Sequence, residues 1–196
     1  MRRAGLMLAL FAIAVLAHAE TQPSNVLAQG ARDGSVPAWA IATDAPTGWT
    51  RDCCMYAKAI GVDAVLYQGD WTGKPQRVMV LNVWPRKLPT LEAELQADRK
   101  HYLQTDPAAK VTDVPVHHPT MSCEATVYQG ADHVDDMVVF CDPGQVTDIR
   151  LSWSMTFDDA DPSRRVLLDN FMQVVMASRY THAEVLPKVA APPHAA

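Results

Sequence analysis

From Thr147 to Phe157 the chain alternates without a break. Thr147, Ile149, Leu151, Trp153, Met155 and Phe157 fall on one parity, and Asp148, Arg150, Ser152, Ser154 and Thr156 on the other. A period of two puts every apolar side chain on one side of an extended backbone, whereas a helix would scatter them round its circumference. A lone strand of that length has nothing to shield its apolar face and no partners for its backbone. The chain must therefore build a sheet and lay a second layer over one side of it.

Other elements fit that requirement. Asp63–Gly69 and Gln76–Trp84 read as two strands of a hairpin closed by Asp70-Trp71-Thr72-Gly73-Lys74-Pro75, and Ser122–Tyr128 and Asp136–Cys141 as two more around the polar loop Gln129–Asp135. Asp142-Pro143-Gly144-Gln145 has the residues of a type II turn. A two-residue loop there sets Val138 opposite Ile149 and Phe140 opposite Thr147, and leaves Met137–Phe140 apolar on both faces. Arg51–Ile60 reads as a short helix stopped by Gly61. Leu91, Leu95, Asp98 and Tyr102 recur at helical spacing after Thr90, with Glu92 and Glu94 in the first turn. Asp161-Pro162 opens a long final helix reaching about His182, with Leu167, Leu168, Phe171, Val174, Val175 and Ser178 facing inward.

The expected class is α+β: an antiparallel β-sheet flanked by helices, with a long C-terminal helix. The order of hairpin, helix, strands, long strand and terminal helix over Gly61–His182 resembles the Mog1/PsbP-like sandwich. That resemblance implies a fold whose members are mostly non-catalytic accessory, trafficking and envelope proteins.

The chain begins with the form of a secretory signal peptide: Met1-Arg2-Arg3, an apolar run from Ala4 to Ala17, and Ala17-His18-Ala19, with cleavage expected between Ala19 and Glu20. The apolar run is short for a membrane span, which needs roughly 20 residues. Residues 1–19 are thus expected to be a signal peptide, 20–48 a loosely held arm in which Trp39 and Ile41 are the residues able to dock, 49–183 a single α+β domain, and 184–196 a frayed, proline-rich tail. Loss of Arg2 and Arg3 takes the formal net charge from −5 to about −7. Such an acidic chain is a poor partner for nucleic-acid backbones or anionic membranes.

Four cysteines in an exported chain are expected to form disulfides. If the strands fold symmetrically about Asp132, Cys123 faces Cys141 on the same face as Ala125, Val127, Met137 and Val139. A competing arrangement lays the Arg51–Ile60 segment over that face and brings Cys53 or Cys54 to the pair. The vicinal Cys53-Cys54 also admits a thiol-redox role, although no C-x-x-C is present.

Other clusters invite chemistry. Asp132, His133, Asp135 and Asp136 crowd one hairpin loop, and His117-His118 precede a strand; imidazole with carboxylate suits a zinc or copper ion, and a polar turn accounts for the same residues. Asp158, Asp159 and Asp161 read as capping carboxylates at a helix start. Tyr67-Gln68-Gly69 and Tyr128-Gln129-Gly130 echo each other before two turns. Trp71 sits at a hairpin tip, where an aromatic serves as partner contact or as packing on the sheet edge. No G-x-S-x-G, H-E-x-x-H or G-x-x-x-x-G-K-[ST] occurs. The reading that joins these features is an exported, non-catalytic accessory module. It needs no cofactor, binds a protein or envelope component through Trp71, and has no nucleic-acid partner and no anchor once the leader is removed. A metal-binding envelope protein and a thiol-redox protein are the alternatives.

Overall fold

The computed structural model describes residues 25–34 and 36–182. The expected leader (1–19) and tail (184–196) lie outside the described residues.

The alternating segment is the centre of the molecule. As strand β9 (Ile149–Asp158) it lies in a seven-stranded antiparallel sheet with β3 (Thr50–Asp52), β4 (Ala64–Gln68), β5 (Arg77–Pro85), β6 (Lys110–Val114), β7 (Ser122–Gln129) and β8 (Val134–Asp142), in the order β3-β4-β5-β9-β8-β7-β6. Ile149, Leu151, Trp153, Met155 and Phe157 are buried on one face, joined by Leu66, Met79, Leu81, Met137 and Val139 from neighbouring strands. That face is covered by helix α3 (Arg164–Ala177) through Leu167, Phe171, Val174 and Val175, and by a three-stranded sheet. The opposite face carries two helices. The short α1 (Tyr56–Ile60) sits over Val65 and Tyr67 of β4, and α2 (Leu91–Thr105) over Phe140 of β8.

The fold is thus α+β, with antiparallel sheets flanked by helices. Its C-terminal helix is shorter than expected. α3 ends at Ala177, and Arg179–His182 form a further strand, β10, instead of its last turn. The helix also starts later than Asp161-Pro162, at Arg164, after a turn in which Asp161 accepts from the Ser163 N–H at 2.7 Å through its carboxylate and from the Arg164 N–H at 2.9 Å through its carbonyl.

The segment read as a loosely held arm is a structural layer. Val26–Gly30 (β1) and Trp39–Ala42 (β2) are strands, and β2 pairs with β1 on one side and β10 on the other. All four residues of β2 are buried. A short strand covered on both faces shows no alternation, so its pattern is mute in the sequence. Gly30 faces Trp39 across the ladder, and the indole occupies the space a side chain at Gly30 would need.

The loop between β8 and β9 also departs from expectation. It runs from Pro143 to Asp148 through a 3₁₀ turn over Gln145–Thr147, and the register sets Val138 opposite Ser154 and Phe140 opposite Ser152. Polar bonds hold this wider connection open. Asp142 accepts from the Gly144 N–H at 2.9 Å and is gripped by Arg86 and Arg150, while the Thr147 hydroxyl donates to the Gly144 carbonyl at 2.7 Å.

The β7–β8 register places Cys123 opposite Cys141, with the two sulfurs bonded. The cysteine face is covered by α3 and the three-stranded sheet; in the Arg51–Ile60 segment β3 is the edge strand of the sheet itself, α1 lies over the opposite face, and Cys53 touches the main core. Cys53 and Cys54 are bonded to each other rather than to Cys123 or Cys141. Strand β6, with only half-buried and exposed residues, had no readable period.

Candidate functional site

The hairpin tip and the short helix beside it form one surface. Asp52 closes β3, and its carboxylate accepts from the N–H groups of Cys54 (3.1 Å), Met55 (3.1 Å) and Ala57 (2.9 Å). It thereby satisfies donors that a helix start leaves unpaired, although it stands several residues before Tyr56. Gly61 ends the helix at φ 77°, a left-handed conformation that suits glycine. Five residues are too few to bury both sides, and of α1 only Ala57 is fully covered.

Asp70 shapes the β4–β5 turn in a similar way, accepting from the Thr72 N–H at 2.9 Å and the Thr72 hydroxyl at 2.7 Å; these bonds hold its carboxyl below the usual range. Trp71 is thereby folded back over α1. Its ring stacks on Tyr56 with centroids 5.9 Å apart, and Tyr56 meets Tyr67 edge-on at 5.4 Å. Trp71 is therefore half-buried packing in a small satellite core and, by its remaining surface, part of an exposed patch. Tyr56 and Ile60 lie four residues apart on one face of α1. Met55 and Ile60 remain 62% and 45% exposed, among the most exposed large apolar side chains of the described residues. The sequence singled out Trp71 at the hairpin tip but not Met55, Tyr56 or Ile60, which the fold sets beside it. The available signal was an apolar i, i+4 pair on a helix too short to bury it.

The expected metal ligands are dispersed. His118 Nδ1 accepts from the N–H groups of Thr120 (3.1 Å) and Met121 (3.0 Å), so its Nε2 carries the proton and donates to the Val175 carbonyl at 3.2 Å. It pins the loop before β7 to the end of α3, while His117 lines a groove beside α2. The Asp132–Asp136 loop lies at the far end of β7 and is occupied by its own fold. Asp132 accepts from the Val134 N–H at 3.0 Å, His133 pairs with Asp159 at 3.0 Å, Asp135 is buried against Arg164 at 2.7 Å, and Asp136 accepts from the Thr156 hydroxyl. Asp158 caps its own turn through the Ala160 N–H at 2.8 Å. Among the described residues no group of three or more His, Cys, Asp or Glu side chains is placed to hold a metal ion. Tyr67-Gln68 and Tyr128-Gln129 close β4 and β7 at positions with different neighbours: Tyr67 packs on α1, and Tyr128 donates to Asp98 of α2 at 2.6 Å.

Among the described residues no helix is long and apolar enough to cross a membrane. No family model and no curated protein matches the chain. Solved structures do. One is the solution structure of cyanobacterial PsbP (CyanoP) from Synechocystis sp. PCC 6803, at 11% identity over 76% of this chain and 97% of that one, with a TM-score of 0.46. Another is LpqN, involved in cell envelope biogenesis of Mycobacterium tuberculosis, at 12% identity over 74% of this chain and 85% of that one, with a TM-score of 0.48. Both have the PsbP/Mog1-like α+β fold that the order of elements in this sequence resembles.

Proposed function

We propose that the chain is an exported, non-catalytic accessory module that binds a protein or envelope component through the α1–Trp71 surface. The carrying observation is the pairing of an aromatic stack with exposed aliphatic side chains. Tyr56 and Trp71 form a rigid, half-buried platform, and Met55 and Ile60 stand beside it in water. Solvent-facing apolar clusters of this kind cost solubility and mark contact sites, and aromatic anchors dominate the binding energy of interfaces. The signal-peptide form of residues 1–19 and the cystine pairs support a destination outside the reducing cytoplasm.

Crosslinking in cells that express the chain, followed by recovery of the adduct, tests this reading. A photo-reactive residue at Met55 is expected to capture a specific envelope partner. Ile60→Lys should abolish capture while leaving stability within about 0.5 kcal/mol, as for other exposed positions. Trp71→Ala should weaken capture and also lower stability, since it removes packing. Undiminished capture by Ile60→Lys and Trp71→Ala together would show that the partner docks elsewhere or that this face is bare in the cell.

A further inference from the structure

At the edge of the large sheet opposite Trp71, the ladder between β6 and β7 stops early. The last pair is Val114 with Ala125, although β7 extends back to Ser122. Beyond Val114 the chain, which continues with Pro115 and Val116, makes no further pair with β7. The direction of the unpaired backbone follows from the far side of β7. Cys123 and Cys141 stand only 4.2 Å apart at Cα, the spacing of a pair that does not exchange hydrogen bonds. The N–H and C=O of Cys123 therefore point away from β8, toward the place where β6 would have continued. They face a groove of about 470 Å³ between β7, α2 and the departing segment. That volume is within the range of ligand sites, roughly 300–1,000 Å³.

The lining states what kind of ligand fits. Leu95, Val114 and Val116 give it apolar walls, and Glu92, Asp113 and Glu124 give it acidic ones. Arg99 pairs with Asp113. Glu92 and Glu124 lie side by side without such a partner in this lining, and burial and the neighbouring carboxylates of Glu92 and Asp113 push the Glu124 carboxyl above its ordinary range. A groove with these walls repels anions and gains from an incoming ammonium or guanidinium group.

We propose that this groove takes an extended peptide segment bearing lysine or arginine, which adds as a short strand beside Ser122–Glu124. Backbone bonds to Cys123 would give the register, alternate side chains would reach the apolar walls, and the cation would sit between Glu92 and Glu124. This is recognition by strand addition at a sheet edge. It is separate from the Trp71 face, which lies by the other edge of the same sheet.

The test is an NMR titration of the full mature chain with an acetylated peptide of alternating valine and lysine. Two controls accompany it: the same peptide with glutamate for lysine, and the lysine peptide N-methylated at alternate amides. The lysine peptide is expected to shift the amides of Cys123, Glu124 and Val116, and the two controls are expected to fail. Glu92→Gln with Glu124→Gln should weaken binding about tenfold or more. Three outcomes overturn the proposal: no binding at about millimolar peptide, equal affinity in the double variant, or shifts confined to residues around Trp71. Equal binding of the N-methylated peptide overturns the strand-addition mode.

Discussion

The decisive individual residues are buried charges and the groups that answer them. Arg150 is 1% exposed, and its Nη1 sits 2.5 Å from Asp142 Oδ2 as an ion pair without hydrogen-bond alignment; Arg86 reaches the same carboxylate at 2.7 Å. Asp142→Asn removes the carboxylate charge that both guanidinium groups face. It should cost about 3–5 kcal/mol, read as a lower urea midpoint, because the buried cation is left uncompensated. The two structured histidines should respond to pH with opposite sign. Burial holds His118 below its ordinary 6.5, so the folded state favours the neutral ring. Its contribution is complete above pH 6.5 and is lost as pH falls through the lowered folded value. His133 is raised by its bond to Asp159, so its contribution is present below 6.5 and is lost as pH rises through the raised value. Unfolding free energies measured from about pH 5 to 8 should therefore lose their acid-side slope in His118→Gln and their alkaline-side slope in His133→Gln. At this scale the sequence was partly legible. It pointed to Trp71 and to the opposed cysteines, because a turn and a symmetric hairpin fix positions locally. It was silent on Arg150, which falls on the polar parity of β9 and is nonetheless buried beside Asp142.

At the scale of elements, period two was a reliable guide wherever one face of a strand is wet and the other dry. On that basis β9 was readable, while β4, β5, β7 and β8 were readable only as extended runs between turn residues, β4 and much of β8 being covered on both faces. It failed for β2, dry on both faces, and for β6, wet on most of its length. α2 was visible from its spacing and from Thr90, whose hydroxyl accepts from the Ala93 N–H at 3.1 Å. What the spacing did not show is how that helix docks. Tyr128 of β7 is fully buried beneath it, stacked on Tyr102 with centroids 4.2 Å apart, and its hydroxyl donates to Asp98 at 2.6 Å. Burial raises the Asp98 carboxyl, and the Tyr128 bond opposes that rise. Tyr128→Phe should thus cost about 1–3 kcal/mol in chemical denaturation, since a half-buried carboxylate loses its donor while the apolar packing is kept.

For the molecule as a whole, the three-stranded sheet is the feature that composition hid. Its first two strands lie among glycine and proline residues and were read as a tether, and its third was read as the end of the final helix. In fact Leu27, Trp39 and Ile41 share one core with Trp153 and Phe171. Deleting residues 25–42 would spare a domain that merely carried an arm. Here it should expose the inner face of the large sheet and replace a cooperative thermal transition with a broad one, accompanied by binding of a hydrophobic dye. A sharp, unshifted transition in the truncated protein would contradict the packing described.

β2 takes one neighbour from each end of the chain, β1 before it and β10 after it. A polypeptide that emerges amino end first, from a ribosome or through a translocation pore, therefore has no way to finish this layer until Arg179–His182 have followed. The opening strands must wait for the closing one, and maturation becomes a single late event instead of a progressive one.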